Sequence, residues 1–523
     1  MSQATERDPV IVVGSGIAGS VLALEAAEHG PVVLITEGLL GEGSTQRAQG
    51  GMAAAIDEHD SVADHIADTL AAGAGLCDPE AVRVICADGP AQVAALLARG
   101  VDFDRADGRL RLAREGAHSA ARVVHAGGDA TGAHIVAALS AALRRDPRIE
   151  VVEGERVLEV LVRDGRATGV RTTGRTLHGR AVALAAGGMG HLYSRTTNPP
   201  GATADGPALA GRAGAALADL EFVQFHPTAL AVGASPLALV SEAVRGEGGI
   251  LRDATGHRFM PDEHPMAELG PRDVVARAIA RHAARLGADV TIDLRHLDPD
   301  EVHARFPTVA ALCAAHGLDL ARDLIPVTPA AHYGVGGALT DMAGRTTLPG
   351  LFAVGESAAT GAHGANRLAS NGLLEAAVLA TAAARALAGP DGRWPMTLLP
   401  PTAPVAPPVP RGDDGATRAA LQDAMWRGVG VERDADGLAT AARELAALPE
   451  GTDPATDNLL MVGRLAAAAA TLRTESRGAH FRGDHPVADP AQARRIAWVG
   501  GLPVALPPTP ARPGRAALAL EAA

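Results

Sequence analysis

Apolar and polar positions fall into a regular alternation near the start of the chain. Val10-Ile11-Val12-Val13 is an unbroken apolar run, bounded by Asp8-Pro9 ahead and glycine behind, and a second run, Val32-Val33-Leu34-Ile35, ends at Thr36-Glu37. Between them, from Gly16 to His29, small and apolar residues recur at helical spacing. Short apolar runs flanked by turn residues fit buried parallel strands, so residues 9–37 predict a β-α-β unit. Arg180–Ala186, running into Gly187-Gly188, and Gly350–Val354, running into Gly355-Glu356, predict two more strands that end in glycine turns. The long stretch between those two strands exceeds anything a βα connection needs and predicts an inserted domain. Downstream, Leu373–Ala388 reads as an Ala-rich helix, and 416–447 and 455–475 have helical composition. Between them Pro395, Pro400, Pro401, Pro404, Pro407, Pro408 and Pro410 predict a stiff, extended linker. Pro503, Pro507, Pro508, Pro510 and Pro513 predict an irregular tail.

The turn between the first two strands is Gly14-Ser15-Gly16-Ile17-Ala18-Gly19. In such a GxGxxG the first glycine permits the tight turn and the second lets a pyrophosphate approach the backbone. The third allows close packing of helix on strand, and the helix N-terminus offers free N–H groups to the phosphates. Glu37 lies about 20 residues further on, where an acidic side chain meets a ribose hydroxyl. Dinucleotide binding follows. In a doubly wound sheet, ligands gather at the carboxyl ends of the strands, so the turns after Ala186 and Val354 are expected at the same nucleotide.

Composition narrows the function. The 523-residue chain is 47% apolar, enough for a sizeable core. Seven Phe, three Trp and two Tyr are too few for aromatic stacking on single-stranded nucleic acid, and a net charge of −13 argues against nucleic-acid or anionic-membrane partners. Cys77, Cys86 and Cys313 show no CxxC spacing, which disfavours a disulfide scaffold, a zinc site or an iron–sulfur cluster. The histidines are too scattered for a metal site, so none is expected. With no signal-peptide layout and no long unbroken apolar run, the expected location is the cytoplasm.

Six polar clusters carry the candidate chemistry. They are Gly43–Met52 (GSTQRAQGGM), Arg114–Ser119 (REGAHS), Glu221–Thr228 (EFVQFHPT), Ser241–Gly248 with Pro271-Arg272-Asp273, Pro329–Gly337 (PAAHYGVGG) and His363–Gly372 (HGANRLASNG). In the third, Gln224 and His226 alternate with phenylalanines, and a strand period of two puts both polar side chains on one face. Arg272 and Arg367 with His226 and His332 are the donors that hold a small dicarboxylate, since the guanidinium fork matches a carboxylate two bonds at a time. No GxSxG motif is present, which disfavours hydrolases.

These segments, in this order from about residue 9 to 487, resemble the succinate dehydrogenase/fumarate reductase flavoprotein family and, within it, the L-aspartate oxidases. The resemblance implies an α/β fold: a Rossmann-like FAD-binding domain (1–221 and 341–390), an inserted α+β capping domain (222–340), a Pro-rich linker (391–413) and a C-terminal helical domain (414–523). It implies FAD held by Gly14, Ser15, Gly16, Ile17, Ala18, Gly19 and Glu37, and by Ser44, Thr45, Gln46, Arg47, Ala48, Gln49, Gly50 and Gly51. Asp205, Glu356, Gly372 and Leu373 complete that set. Dehydrogenases carry a flavin-linked histidine where Ser44 stands here, so the FAD is expected to be noncovalent. Substrate carboxylates are implied at His226, Ser241, Glu242, His332 and Arg367, the substrate ammonium at Glu115, support at Gln224 and proton transfer at Arg272. The implied reaction takes L-aspartate to iminoaspartate with O₂ or fumarate as electron acceptor, the first step of quinolinate and NAD synthesis, with quinolinate synthase as a pathway partner. The alternative is a soluble fumarate reductase or succinate dehydrogenase flavoprotein subunit. Ser241 replaces a more usual Thr, and Gly372 a more usual Ser, which leaves only backbone contact there.

Overall fold

The computed structural model describes residues 8–389, 399–410, 412 and 415–508. Pro395, Pro510 and Pro513 lie outside them. A parallel five-stranded sheet forms the centre, in the order Leu351–Ala353, Ala181–Leu184, Val10–Val13, Val32–Thr36, Ile149–Glu153. Every strand-to-strand pairing in it is parallel. Val10–Val13 is apolar throughout because both faces of the sheet are covered, and all four residues are buried.

The glycine turn behaves as its spacing predicts. Gly14 has φ +108°, and a Cβ there would lie 2.2 Å from the Ala185 carbonyl oxygen. A Cβ on Gly19 would lie 1.9 Å from the Gly14 carbonyl oxygen, so the third glycine lets helix Ile17–Ala27 sit directly on the turn. The same helix packs along Asn371–Ala388, whose run of alanines lets the two backbones come close.

A second antiparallel sheet, Val223–Leu230, Leu324–Gly334, Val290–Asp293, Ile250–Arg252, forms the base of a cap. Helix Arg272–Leu286 lies across it. The cap has its own apolar cluster, including Leu251, Phe259, Val275, Ile279, Ile292 and Val327, separate from that of the parallel sheet. Its outer face is tied to the C-terminal part of the chain. The guanidiniums of Arg277 and Arg281 lie over the Phe481 ring at 4.8 and 5.1 Å, and Arg281 pairs with Glu432.

Residues 399–410 form neither helix nor strand, and Thr402 and Val405 donate backbone hydrogen bonds to the carbonyls of Gly214 and Arg212. Three helices follow, Ala416–Val429, Ala435–Ala447 and Pro454–Leu472, packed on one another. The tail departs from expectation. Arg494–Val499 and Leu502–Pro508 pair as a hairpin, and the first of these strands adds to Leu217–Ala218 in a five-stranded sheet. The prolines are tolerated because the second strand is the sheet's edge, where a missing N–H costs no ladder bond. One helix among the described residues, Pro79–Ala98, is long and apolar enough to cross a membrane. Its apolar face is instead built into the protein, against helices Val62–Ala72 and Asn371–Ala388.

Replacing Gly19 with Ala sets a methyl group against a backbone carbonyl that cannot retreat. The expected result is a loss of about 1–3 kcal/mol of stability, measured as a lower urea midpoint with an unchanged denaturant slope.

Candidate active site

A cavity of about 850 Å³ runs from the carboxyl ends of the parallel strands to the cap. That lies toward the upper end of the ~300–1,000 Å³ usual for ligand sites. At one end are Gly14, Ser15, Gly16, Ile17, Ala18 and Glu37, and along the middle runs the whole segment Ser44–Gly51. Asp205, Glu356, Gly372 and Leu373 join them from distant parts of the chain. The far end is lined by Glu115, His226, Ser241, Glu242, Arg272, His332 and Arg367. Two predicted site residues do not line it: Gly19 serves the helix packing described above, and Gln224 lies behind the arginines.

The first end has the form of a diphosphate site. Thr45 Oγ1 accepts from the Ile17 N–H at 3.1 Å, which ties the 44–51 segment to the helix that follows the glycine turn, and Ser15 Oγ donates to Thr36 Oγ1 at 3.0 Å, which ties the turn to the end of the second strand. A Cβ on Gly16 would meet only Thr45 Oγ1, at 3.1 Å. Glu37 pairs with Arg156 at 2.9 Å, and the same guanidinium reaches Asp205 at 2.5 Å and Thr203 at 2.7 Å. Arg156 lines the cavity but was not foreseen, since Glu155-Arg156 looks like any surface ion pair. Gln49 Oε1 is buried with no partner, and a Cβ on Gly50 would meet nothing closer than 3.7 Å. An orphaned acceptor, an open glycine segment and a helix N-terminus along one continuous cleft fit FAD.

At the cap end, two guanidiniums converge on one amide. Gln224 Oε1 accepts from Arg272 Nη1 at 2.9 Å and from Arg367 Nη2 at 3.2 Å, while its Nε2 donates to Asn366 Oδ1 and the Arg367 carbonyl, both at 2.8 Å. Glu242 Oε2 accepts from Arg272 Nε at 2.5 Å, and Arg245 stands behind it at 3.8 Å. Burial, followed by repulsion from Arg272, brings Arg367 down to about 10. Its Nε has no partner, nor has the buried Ser241 hydroxyl. Both are donors held in reserve.

His226 and His332 stand edge to face, 5.1 Å apart. Burial first, and then the nearby guanidiniums of Arg272 and Arg367, hold both well below the usual imidazole range, so both are neutral. His226 Nδ1 accepts from the Thr228 N–H at 3.2 Å, which puts the ring proton on Nε2. His332 Nδ1 is engaged by Thr197 Oγ1 at 2.8 Å. A β-bulge makes this cluster. Tyr333 pairs with Gln224 and Ala331 with Phe225, leaving His332 as the extra residue, so both His332 and Tyr333 line the cavity.

Of the two carboxylates at the cap end, Glu242 is held by Arg272 and Glu115 is bonded by no guanidinium. Burial alone would raise its pKa. His125, 3.3 Å away, the Ser370 hydroxyl donating at 2.6 Å, and the field of Arg272 outweigh burial and hold it at about 2. Ser370, at φ +59° ahead of helix Asn371–Ala388, also lines the cavity; it stands in the candidate cluster His363–Gly372 but has no role assigned from the sequence. A short polar residue tolerates that backbone region, but sequence alone gives no sign of it.

The chain matches the FAD binding domain family over residues 9–373 and the fumarate reductase flavoprotein C-terminal family over 454–500. It is 47% identical to an L-aspartate oxidase of Streptomyces coelicolor, over 93% of this chain and 90% of that protein, and 47% identical to one of Agrobacterium fabrum, over 94% of each. A chloroplastic L-aspartate oxidase of Nicotiana tabacum is 41% identical over 91% of this chain. Among solved structures, a variant of the E. coli quinol fumarate reductase flavoprotein superposes with a TM-score of 0.87 at 30% identity, covering 97% of this chain and 98% of that one. A quinol–fumarate reductase with menaquinol gives 0.86 at 30% identity, covering 97% and 99%.

Glu356 offers a test of the buried electrostatics. Burial pushes it up to about 7, against the hydrogen bond from the Gly334 N–H at 2.8 Å and the field of Arg367. A carboxyl raised in the folded state costs stability as pH rises from its unfolded value, 4.5, toward 7, because the native state holds the proton longer. In the FAD-free protein, Glu356→Gln is therefore expected to gain on the parent across that window, by on the order of 3 kcal/mol at pH 8 relative to pH 4, read from urea unfolding at the two pH values. With the glycine turn, the open 44–51 segment and the paired arginines all in the family's order, the chain belongs to the L-aspartate oxidase branch of the succinate dehydrogenase/fumarate reductase family of FAD-binding flavoproteins.

Proposed function

We propose that the protein oxidises L-aspartate to iminoaspartate, with O₂ (giving H₂O₂) or fumarate as the electron acceptor. The observation that carries this reading is one ionised carboxylate that no guanidinium bonds, Glu115, at the cap end of the cavity, where Arg272 and Arg367 also line the wall and Glu242 is already held by Arg272. Counting Arg245, which stands behind Glu242, the three arginines Arg245, Arg272 and Arg367 outnumber Glu115 and Glu242 by one charge, which complements an amino acid carrying two carboxylates and one ammonium. FAD, bound noncovalently as Ser44 implies, supplies the two-electron acceptor. The glycine turn and Glu37, the 44–51 segment, and Asp205, Glu356, Gly372 and Leu373 would hold it.

The chain's own residues bind and orient the substrate. Arg367 and the Ser241 hydroxyl, each with an unpartnered polar atom, and His226 through its Nε2–H take the carboxylates, with His332 beside them. Glu242 acts through Arg272, whose Nε it holds, while Gln224 fixes both guanidiniums relative to each other. Glu115 meets the ammonium, which must shed a proton as hydride leaves Cα. A guanidinium does not deprotonate readily, so Arg272 is a donor when fumarate is reduced and an electrostatic clamp when aspartate is oxidised. The product imine passes to the next pathway enzyme, quinolinate synthase, and the setting is cytoplasmic.

The deciding experiment is anaerobic addition of aspartate or succinate to the purified yellow protein. Bleaching by aspartate, with a chromophore that acid releases, supports the reading; bleaching by succinate alone, or a flavin that stays attached in acid, supports a dehydrogenase subunit instead. Arg272→Leu and Arg367→Leu are expected to lose at least ~10²-fold in turnover while retaining FAD, measured by H₂O₂ production and flavin absorbance. A site whose carboxylate would be left unpaired by succinate disfavours it by up to about 10⁴. Glu115→Gln is expected to narrow that gap, read as the ratio of kcat/KM values.

A further inference from the structure

Arg367 is buried, forms no ion pair with a carboxylate among the described residues, and leaves Nε without a partner. Its side-chain hydrogen bond is the long one to Gln224, at 3.2 Å. What supports it is a ring: the guanidinium carbon lies 4.3 Å from the centroid of Tyr333. That ring is itself pinned. The Tyr333 hydroxyl donates to Glu375 Oε2 at 3.1 Å, and Glu375 is held by the Thr360 hydroxyl at 2.6 Å and by His363 Nε2 at 2.7 Å. All of these residues are buried. Glu375 belongs to the segment that opens the Ala-rich helix, and neither cofactor binding nor substrate contact gives it a task.

A buried carboxylate is costly unless its hydrogen bonds are filled, and here they are filled on both oxygens. A phenol donating to a carboxylate gains electron density on its ring, and a cation over an electron-rich, desolvated face is held more firmly. The geometry points to Tyr333 and Glu375 as positioning residues for Arg367: the buried carboxylate acts through the phenol to fix the guanidinium that receives a substrate carboxylate. The bulge at His332 makes this possible, because it lets the residue after His332 turn its ring beneath Arg367 while His332 still lines the cavity.

This inference rests on the reading that Arg367 meets a substrate carboxylate, and the test separates the two. Fumarate binding to the oxidised holoenzyme, followed by the change in flavin absorbance, is measured for Arg367→Lys, Tyr333→Leu, Tyr333→Phe and Glu375→Gln. FAD content and melting temperature are recorded for each. Tyr333→Leu, which removes the face, is expected to weaken binding by 30-fold or more with FAD retained. Tyr333→Phe keeps the face without the tether and is expected to lose 3- to 10-fold, with Glu375→Gln close to it. In aspartate turnover the loss should fall on KM more than on kcat, which general loosening of the fold would not produce. If Arg367→Lys binds fumarate like the parent, the site reading fails and this inference with it. If Arg367→Lys is weakened but Tyr333→Leu stays within 3-fold of the parent, this inference alone is overturned. Should Tyr333→Leu not fold, the Tyr333→Phe/Arg367→Lys double variant decides. Effects that multiply independently to within 2-fold overturn the coupling, and a double variant no weaker than Arg367→Lys alone supports it.

Discussion

Two guanidiniums share one acceptor at the boundary between cap and main domain, and much of the molecule is arranged around that constraint. Arg272 and Arg367 both donate to Gln224 Oε1, so like charges are forced together out of water. Such a pair persists only if surrounding groups offset the repulsion. Glu242 does so on the cap side and the Tyr333 ring on the other. Helix Arg272–Leu286, strand Val223–Leu230 and the loop before Asn371 each supply one part of this group. Their mutual placement therefore sets the spacing of the charges, and the remaining attraction is left for an anion in the cavity.

The two ends of the cavity are built on different principles. The nucleotide end is made largely of backbone: a glycine turn, a helix N-terminus and the 44–51 segment tied to that helix through Thr45. The cap end is made of side chains whose hydrogen bonds are filled on the protein side and left open toward the cavity, as at His226 Nε2 and Ser241. That division explains how a family can keep one cofactor site while altering the chemistry beside it. Glu115 illustrates the point, because the groups that bond it and keep it charged are His125 and Ser370, with Arg272 contributing only through its field.

The parts legible in the sequence were those with a local period or a fixed spacing. Strand Val10–Val13, helix Ile17–Ala27 and the roles of Gly14 and Gly19 could be read directly, as could the shared face of Gln224 and His226. Tyr333 stands in a candidate cluster but carries no role in the sequence, because strict alternation sends adjacent strand residues to opposite faces and the bulge at His332 breaks that rule. Arg156 was missed because its importance comes from a contact with Asp205, far away in the chain. The hairpin of Arg494–Pro508 was missed because proline content was read as irregularity, when an edge position makes it compatible with a strand.

The aromatic contact on the outer side of the cap has a mechanical consequence. Arg277 and Arg281, one turn apart on the same helix that begins at Arg272, both rest on Phe481. Any displacement of the cap large enough to carry Gln224 and Arg272 away from Arg367 must also peel those two side chains off a ring that belongs to the far end of the polypeptide. The resistance to opening the substrate chamber is thus partly written in residues that never face it, and the C-terminal segment serves as a hasp on a door whose lock lies inside.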